Sequence, residues 1–386
     1  MKKTFNIAFD AVPLISDKMT GIGWCEAGQT MAVARMYPQN RYTYNFFSRK
    51  DDNIKLKRIA PFADDNININ LVHFSGYIYR ASSAFLPVPY SAFFGKNDDI
   101  THFFNYIVPP HVHGRTVATV HDMVYKAFPE TVRARTKYML DSGLKKSMER
   151  ADIIVTDSEF SKSEIIRYFP KHQDKIRVVP CGTDLSRFRP SSNSERIAKV
   201  KKNLSIDGDY FLYLGTIEPR KNLERLITAY SIFAERLKEN PPKLVLAGGK
   251  GWLYDSIFQK VKDLKLQEKV IFTKYVPSSY MKYLMSGAIA FVFPSIYEGF
   301  GMPPLEAMAC GTPVLVSNRA SLPEVTGDCA VICDAFSPED MAEGLFSLYS
   351  DCNLRKDLRK RGLERAEMFT WEKSAEKLYN VYKELF

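Results

Sequence analysis

Short apolar runs alternating with amphipathic stretches constrain this chain most. In the second half the runs are Tyr210 to Leu214, Lys243 to Ala247, Val270 to Thr273, Ala288 to Phe293, Pro313 to Val316 and Ala330 to Ile332. Helix-patterned stretches lie between them: Leu223 to Lys238, Leu253 to Leu264, and Pro338 to Ser350. Continuous apolar strands need cover on both faces, and intervening helices supply it, so the strands should form a parallel sheet. The expectation is a doubly wound α/β domain.

The first half repeats the alternation less cleanly. Strand candidates are Phe5 to Phe9, Tyr42 to Phe47, Ile67 to Leu71, Thr116 to Val120, Ile153 to Thr156 and Ile176 to Val179. Helices fit Trp24 to Met36, Ala134 to Arg150 and Ser161 to Tyr168. Two doubly wound, Rossmann-like domains in series are expected, facing across a cleft, with residues 1–190 in the first and 191–370 in the second. Pro190-Ser191-Ser192-Asn193-Ser194 reads as the linker. The last stretch, Trp371 to Phe386, has helical apolar spacing and could finish the second domain or cross back to the first.

Composition narrows the class. At 386 residues the chain holds about two domains. Hydrophobic residues at 45% and charged residues at 25% exclude a disordered, collagen-like or multi-span membrane chain. Met1-Lys2-Lys3 opens onto a first strand rather than a signal peptide, because Asn6 and Asp10 interrupt the apolar stretch. Six cysteines are scattered without a C-x-x-C pair, and His111 and His113 have no cysteine near them in sequence. Reduced thiols in a cytosolic protein are expected, and no structural metal. The net charge of +10 admits three partners: nucleic acid, an anionic membrane surface or a phosphorylated small molecule. No nucleic-acid motif is present.

Doubly wound sheets bind ligands beyond the carboxyl ends of their strands, so the residues after each strand carry the argument. Thr20-Gly21-Ile22-Gly23 precedes a helix and could let backbone approach an anion, or simply make a tight loop. Gly215-Thr216-Ile217-Glu218-Pro219-Arg220-Lys221-Asn222 places two cations at a helix start. Cations are unfavourable there unless an anion is present, which points to a diphosphate. Gly248-Gly249-Lys250-Gly251 could cradle an anion or simply turn, and it lacks the spacing of a P-loop.

The densest segment runs from Ser295 to Pro313. Glu298 and Glu306 stand eight residues apart around the loop Gly299-Phe300-Gly301, and Pro303-Pro304 suits a helix's first turn. Two carboxylates beside a glycine loop suit recognition of sugar hydroxyls. In the first half a strand ends at His121-Asp122, where His121 could donate to a substrate hydroxyl and Asp122 could orient it or stabilise developing positive charge. A purely structural His-Asp pair remains open. Asp157-Ser158-Glu159-Phe160-Ser161 reads mostly as helix capping.

With these residues in view, the chain resembles the family 4 glycosyltransferases of GT-B architecture. The resemblance runs over nearly its whole length. It rests on the E-x7-E segment Glu298 to Glu306, and on Thr20 to Gly23, Val120-His121-Asp122, Ser158 to Lys162, Val179 to Asp184 and Glu218 to Asn222. It implies that Arg220 and Lys221 hold the diphosphate of a nucleotide-sugar donor. Glu306 would bind ribose hydroxyls and Glu298 the donor sugar. Gly215 and the amides of Phe300, Gly301 and Met302 would lie close to the donor. Gly21 to Gly23 would approach the phosphates from the N-terminal domain, and His121 would contact the donor sugar. The C-terminal helix would cross back onto the N-terminal domain.

The resemblance further implies a retaining, metal-independent transfer with no cofactor, in which the leaving phosphate helps to deprotonate the acceptor. Two positions depart from the family pattern: Thr216 stands where many members have Arg, and Trp24 follows the N-terminal glycine loop. The basic stretch Arg133 to Arg150 could meet an anionic membrane displaying a lipid-linked acceptor, or be a solvated helix face. The expected activity is a retaining hexosyltransferase in surface polysaccharide or glycolipid synthesis, with GDP-mannose the first donor and UDP-sugars next. The expected location is cytoplasmic, with peripheral attachment to the inner face of the membrane a further expectation. A nucleotide-sugar 2-epimerase, a phosphorylase and a non-catalytic sugar-nucleotide binder are the alternatives.

Overall fold

Every strand pairing in the two sheets is parallel. The computed structural model describes residues 4–17, 19–49, 52–63, 66–82, 88–237, 240–249 and 251–386. The expectations on Met1 to Lys3, on the helix end at Lys238 and on Lys250 therefore lie outside the described residues. The chain divides into one unit of Met1–Gly182 with Thr370–Phe386, and a second of Thr183–Phe369.

The first unit carries β1 (Asn6–Asp10), β2 (Arg41–Ser48), β3 (Ile67–His73), β4 (Ile100–Phe103), β5 (Arg115–Thr119), β6 (Ile153–Thr156) and β7 (Ile176–Val178). They lie in the order β3-β2-β1-β4-β5-β6-β7. One core covers one face, where Phe9, Tyr42 and Tyr44 meet Leu378 and Tyr382 of the terminal helix Trp371–Lys383. The other face packs Phe103, Ala118 and Ile154 against Leu140, Leu144 and Met148 of the helix Ala134–Arg150. The terminal helix thus belongs to the first unit, as the resemblance implies. Gly28 makes its packing possible: a Cβ there would sit 2.2 Å from the Trp371 ring.

The second unit carries β8 (Tyr210–Leu214), β9 (Lys243–Ala247), β10 (Val270–Lys274), β11 (Ala290–Phe293), β12 (Val314–Ser317) and β13 (Val331–Cys333). Their order is β10-β9-β8-β11-β12-β13. Strand order reverses between β8 and β11, which makes that edge the topological switch point where such sheets bind ligands.

Two expectations need correction. β4 is absent from the sequence pattern because Thr101 and His102 break its apolar run; both are buried. The boundary also falls before the Pro190 linker. Residues 183–190 already pack on the second unit, with Phe188 buried and Arg187 Nη2 3.7 Å from Met281 Sδ. Ser191 N–H then donates to Ser286 Oγ at 3.1 Å. Among the described residues no helix is long and apolar enough to cross a membrane.

Candidate active site

The switch point of the second sheet brings the predicted cations and carboxylates together. After β8 the chain makes the turn Pro219–Lys221 and ends it on Asn222, whose φ of 62° is left-handed. Asn222 is fixed there by donating to the carbonyls of Pro294 (3.1 Å) and Ala335 (2.6 Å). The Arg220 carbonyl accepts from Ile296 N–H at 3.0 Å. The cation-bearing turn is thus tied to the segment that follows β11.

That segment carries Glu298. Its carboxylate accepts from Lys221 Nζ at 2.5 Å and from Arg220 Nη1 at 2.9 Å. Arg220 also donates to Tyr297 O at 2.7 Å and to Glu218 at 3.0 Å. Lys221 stands 4.8 Å over the Phe293 ring, a favourable cation–π position. Two carboxylates and two cations therefore form a mostly buried quartet with no net charge. Burial opposes ionisation of Glu298, but Arg220 and Lys221 outweigh it and bring its carboxyl down to about 2. Burial and the adjacent Arg220 pull Lys221 below its ordinary value, against the pull of Glu298.

The glycine loop is held by a residue that the sequence did not single out. Ser321, fully buried, shares its hydroxyl proton between Glu298 O (2.9 Å) and Phe300 O (2.8 Å). With those carbonyls held, Gly301 turns at φ 108° and caps the helix Met302–Ala309. That helix has neither a side-chain cap nor an acidic residue in its first turn, so its N-terminal amides and dipole favour an anion. Glu306 lies half-buried in the same helix, and no hydrogen bond reaches its carboxylate among the described residues. Burial, opposed by Arg187, raises it to about 7. A Cβ on Gly215 would stand 2.7 Å from the Tyr213 hydroxyl, and Gly248, at φ 147°, could not carry a Cβ without placing it 1.9 Å from Gly215 O. Gly249 O accepts from Ile217 N–H and Gly251 N–H donates to Ile217 O, each at 3.0 Å, which ties both glycines to the segment after β8.

In the first unit the structure corrects the orientation of His121. Its Nδ1 meets Asp157 at 2.7 Å, not Asp122, and its Nε2 meets Phe104 O at 2.9 Å. Asp122 instead accepts from Val124 N–H and the Tyr106 hydroxyl. Burial works against the imidazolium, yet Asp157 raises His121 to about 10. Both ring nitrogens are engaged inside the unit, so the expected contact with a sugar hydroxyl is not pre-formed. Cys25 Sγ lies 4.0 Å from Asp157, and Cys181 Sγ lies 3.1 Å from Cys25 Sγ. Ser158 caps the helix Glu159–Tyr168, as read, and Ser161 donates to His121 O at 3.0 Å. Gly21 opens the helix Gly21–Met36, three residues earlier than expected. Gly23 is packed against Pro13 O and Met19, which accounts for its missing side chain without a ligand.

Residues 33–187 match the family described as Glycosyltransferase Family 4, and residues 194–365 match Glycosyl transferases group 1. The chain is 37% identical over 289 residues to the O-antigen chain mannosyltransferase B of Escherichia coli, covering 74% of each chain. Among solved structures it is similar to sucrose-phosphate synthase from Thermosynechococcus elongatus, with TM-score 0.75, 21% identity and 99% of each chain covered. It is also similar to the Anabaena protein HepE in complex with UDP-glucose, with TM-score 0.74, 16% identity, and 98% of this chain and 100% of that chain covered. These two likenesses establish the two-domain GT-B fold.

Proposed function

The chain belongs to the family 4 glycosyltransferases, and from that premise we propose a retaining transferase that moves mannose from GDP-mannose to a saccharide or lipid-linked acceptor. The synthesis of an O-antigen-type surface polysaccharide is the setting we propose. Similarity to a mannosyltransferase of O-antigen chains supports both the sugar and the setting.

The observation that carries the reading is the Arg220–Lys221–Glu298 cluster at the β8/β11 switch point. A leaving diphosphate gains charge as the bond to the sugar breaks. Two cations already aimed at that edge of the sheet stabilise the charge by exchanging their carboxylate partners for it over a short distance. Here they serve in place of a catalytic metal. Glu298, held near 2, is too weak a base to take a proton at neutral pH, so its role is to position the cations and to meet sugar hydroxyls. That agrees with a front-face path, in which the acceptor's proton passes to the leaving phosphate. Glu306 is assigned to the ribose hydroxyls, and the amides of Phe300, Gly301 and Met302 to the donor's polar edge.

Thermal shift across GDP-mannose, UDP-glucose, UDP-galactose and UDP-N-acetylglucosamine tests the donor. GDP-mannose should raise Tm, and Arg220→Ala should abolish the rise; a shift with UDP-sugars alone would overturn the donor assignment. NMR of the product should show the α-linkage of a retained anomer. Added Mg2+ or Mn2+ should leave turnover unchanged. Release of an epimerised sugar without any acceptor would favour the epimerase.

We also propose that the helix Ala134–Arg150 meets an anionic membrane. Arg133, Arg135, Lys145 and Lys146 are exposed on or beside it, and so are Tyr138 (75%) and Tyr77 (69%), the latter under the Arg135 guanidinium. Exposed aromatics among cations suit a lipid interface. Flotation with phosphatidylglycerol vesicles should carry the chain, and the quadruple Arg133/Arg135/Lys145/Lys146→Ser variant should stay behind.

A further inference from the structure

We infer that Cys25 and Cys181 are a redox-sensitive thiol pair, which closes into a disulfide on meeting a small-molecule disulfide and so fastens the first helix to the segment where the chain leaves the first unit. Cys25 lies in the helix Gly21–Met36, and Cys181 follows β7 and stands next to Gly182, the last residue of that unit's first segment. Both are free thiols, and both are buried. Their sulfurs are 3.1 Å apart, although 156 residues separate them in sequence. A disulfide holds its sulfurs at about 2.05 Å, so an approach of about 1 Å closes the bond.

The backbone on either side is already held for that approach. Gln29 lies one turn beyond Cys25 on the same helix face, and its Nε2 donates to Ser374 Oγ at 3.0 Å. Ser374 Oγ in turn donates to Pro180 O, the carbonyl beside Cys181, at 2.5 Å. Both sulfur-bearing segments are thus clamped to one residue of the terminal helix. Gly182 packs so closely on the start of that helix that a Cβ there would fall 2.5 Å from Trp371 N. The pair closest in sequence, Cys329 and Cys333, is directed elsewhere. Cys329 Sγ donates to Asp328 and Cys333 Sγ to Val316 O, each at 3.4 Å.

The same geometry assigns the order of exchange. Cys181 donates its S–H to Cys25 Sγ, and that bond together with burial holds the Cys181 thiol well above its ordinary value. Cys25, receiving a proton donor, is the sulfur on which a thiolate is stabilised, so it attacks first. It forms a bond to one sulfur of the small disulfide, and the old S–S bond breaks with its electron pair leaving on the other sulfur. The proton that Cys25 releases, directed at Asp157 Oδ1 4.0 Å away, ends on that leaving thiolate. Cys181 then gives up its proton and attacks Cys25 Sγ, and the second small thiol leaves carrying that proton. Two protein thiols are oxidised to one disulfide, and one small disulfide is reduced to two thiols. Because both sulfurs are buried, each step proceeds through local opening of residues 179–182, which have no regular secondary structure.

Bis(2-hydroxyethyl) disulfide is the probe, with the full chain carrying Cys352→Ser to remove the exposed thiol. The intact chain should lose the mass of two hydrogens, and non-reducing proteolysis should yield one peptide pair joining Cys25 to Cys181. A phosphine should reverse both. Hydrogen exchange of the amides around Cys25 should slow by more than about tenfold in the linked form. Cys181→Ser should stop at a mixed disulfide on Cys25, and Cys25→Ser should give no link. Cys329→Ser/Cys333→Ser should leave the link intact, a comparison that holds even where the other variants fold poorly. Absence of the Cys25–Cys181 link in the folded parent would overturn the pair. So would a link that forms only in denaturant, or a linked form whose first helix exchanges as fast as the reduced one.

Discussion

Glu298→Gln isolates what the buried quartet contributes to stability. Glu298 falls from an ordinary value of 4.5 to about 2 because Arg220 and Lys221 favour its ionised form. A group lowered on folding adds stability above its unfolded value and loses it as the pH falls toward its folded value. The shift corresponds to about 3 kcal/mol at pH 7, falling to about 2 kcal/mol at pH 3.5. Gln keeps the size but leaves two buried cations short of a partner, so the variant should lose about that amount at neutral pH. Native-state hydrogen exchange of the β11 amides reads the second unit alone, and intrinsic exchange rates cancel between variant and parent at each pH. The gap should narrow on acidification. A gap equal at both values, or wider in acid, would refute the electrostatic account.

Glu306→Gln should behave in the opposite sense. Its carboxyl is raised to about 7, so the native state loses stability as pH rises from 4.5 to 7. The variant should therefore have a higher Tm than the parent at pH 8, no advantage at pH 4.5, and weaker donor binding by calorimetry. Ser321→Ala should cost about 1–3 kcal/mol by leaving two loop carbonyls without their buried donor, and should raise the donor KM more than it lowers kcat. Gly28→Ala should lower Tm, although Ala is the better helix former, because its Cβ displaces the Trp371 ring at a cost of about 1–3 kcal/mol.

What the sequence made legible follows physical lines. β8 and β9 were read to the residue because continuous apolar runs announce strands buried on both faces. β4 was hidden by Thr101 and His102. His102 is tolerable there only because it meets Tyr382 Oη at 2.7 Å, 280 residues away, and Thr119 at 2.8 Å. Arg220, Lys221 and Glu298 were visible because residues after parallel strands converge at one edge. That Glu298 grips both cations across 77 and 78 residues is a tertiary fact, with no local signature. Asn222 and Ser321 have no local signature of their role, yet they hold the two loops in place. Sequence adjacency pairs His121 with Asp122, whereas the fold supplies Asp157 from the end of the adjacent strand.

The neutrality of the quartet bears on how a diphosphate would bind. Burying Arg220 and Lys221 without counter-charge would cost several kcal/mol per ion, so Glu218 and Glu298 stand in for an anion. The stand-in keeps the cations aimed, but it also competes with phosphate for the same N–H groups. Binding of the proposed donor therefore gains less from the cations than their number implies, and part of their charge is reserved for the moment when the leaving group becomes more negative. Removing the competitor should then separate binding from catalysis. Glu298→Gln should bind GDP more tightly than the parent by calorimetry, with a shallower loss on adding salt, while its kcat falls. If GDP binding instead weakened in step with kcat, Glu298 would be supporting the nucleotide diphosphate itself rather than competing with it for Arg220 and Lys221.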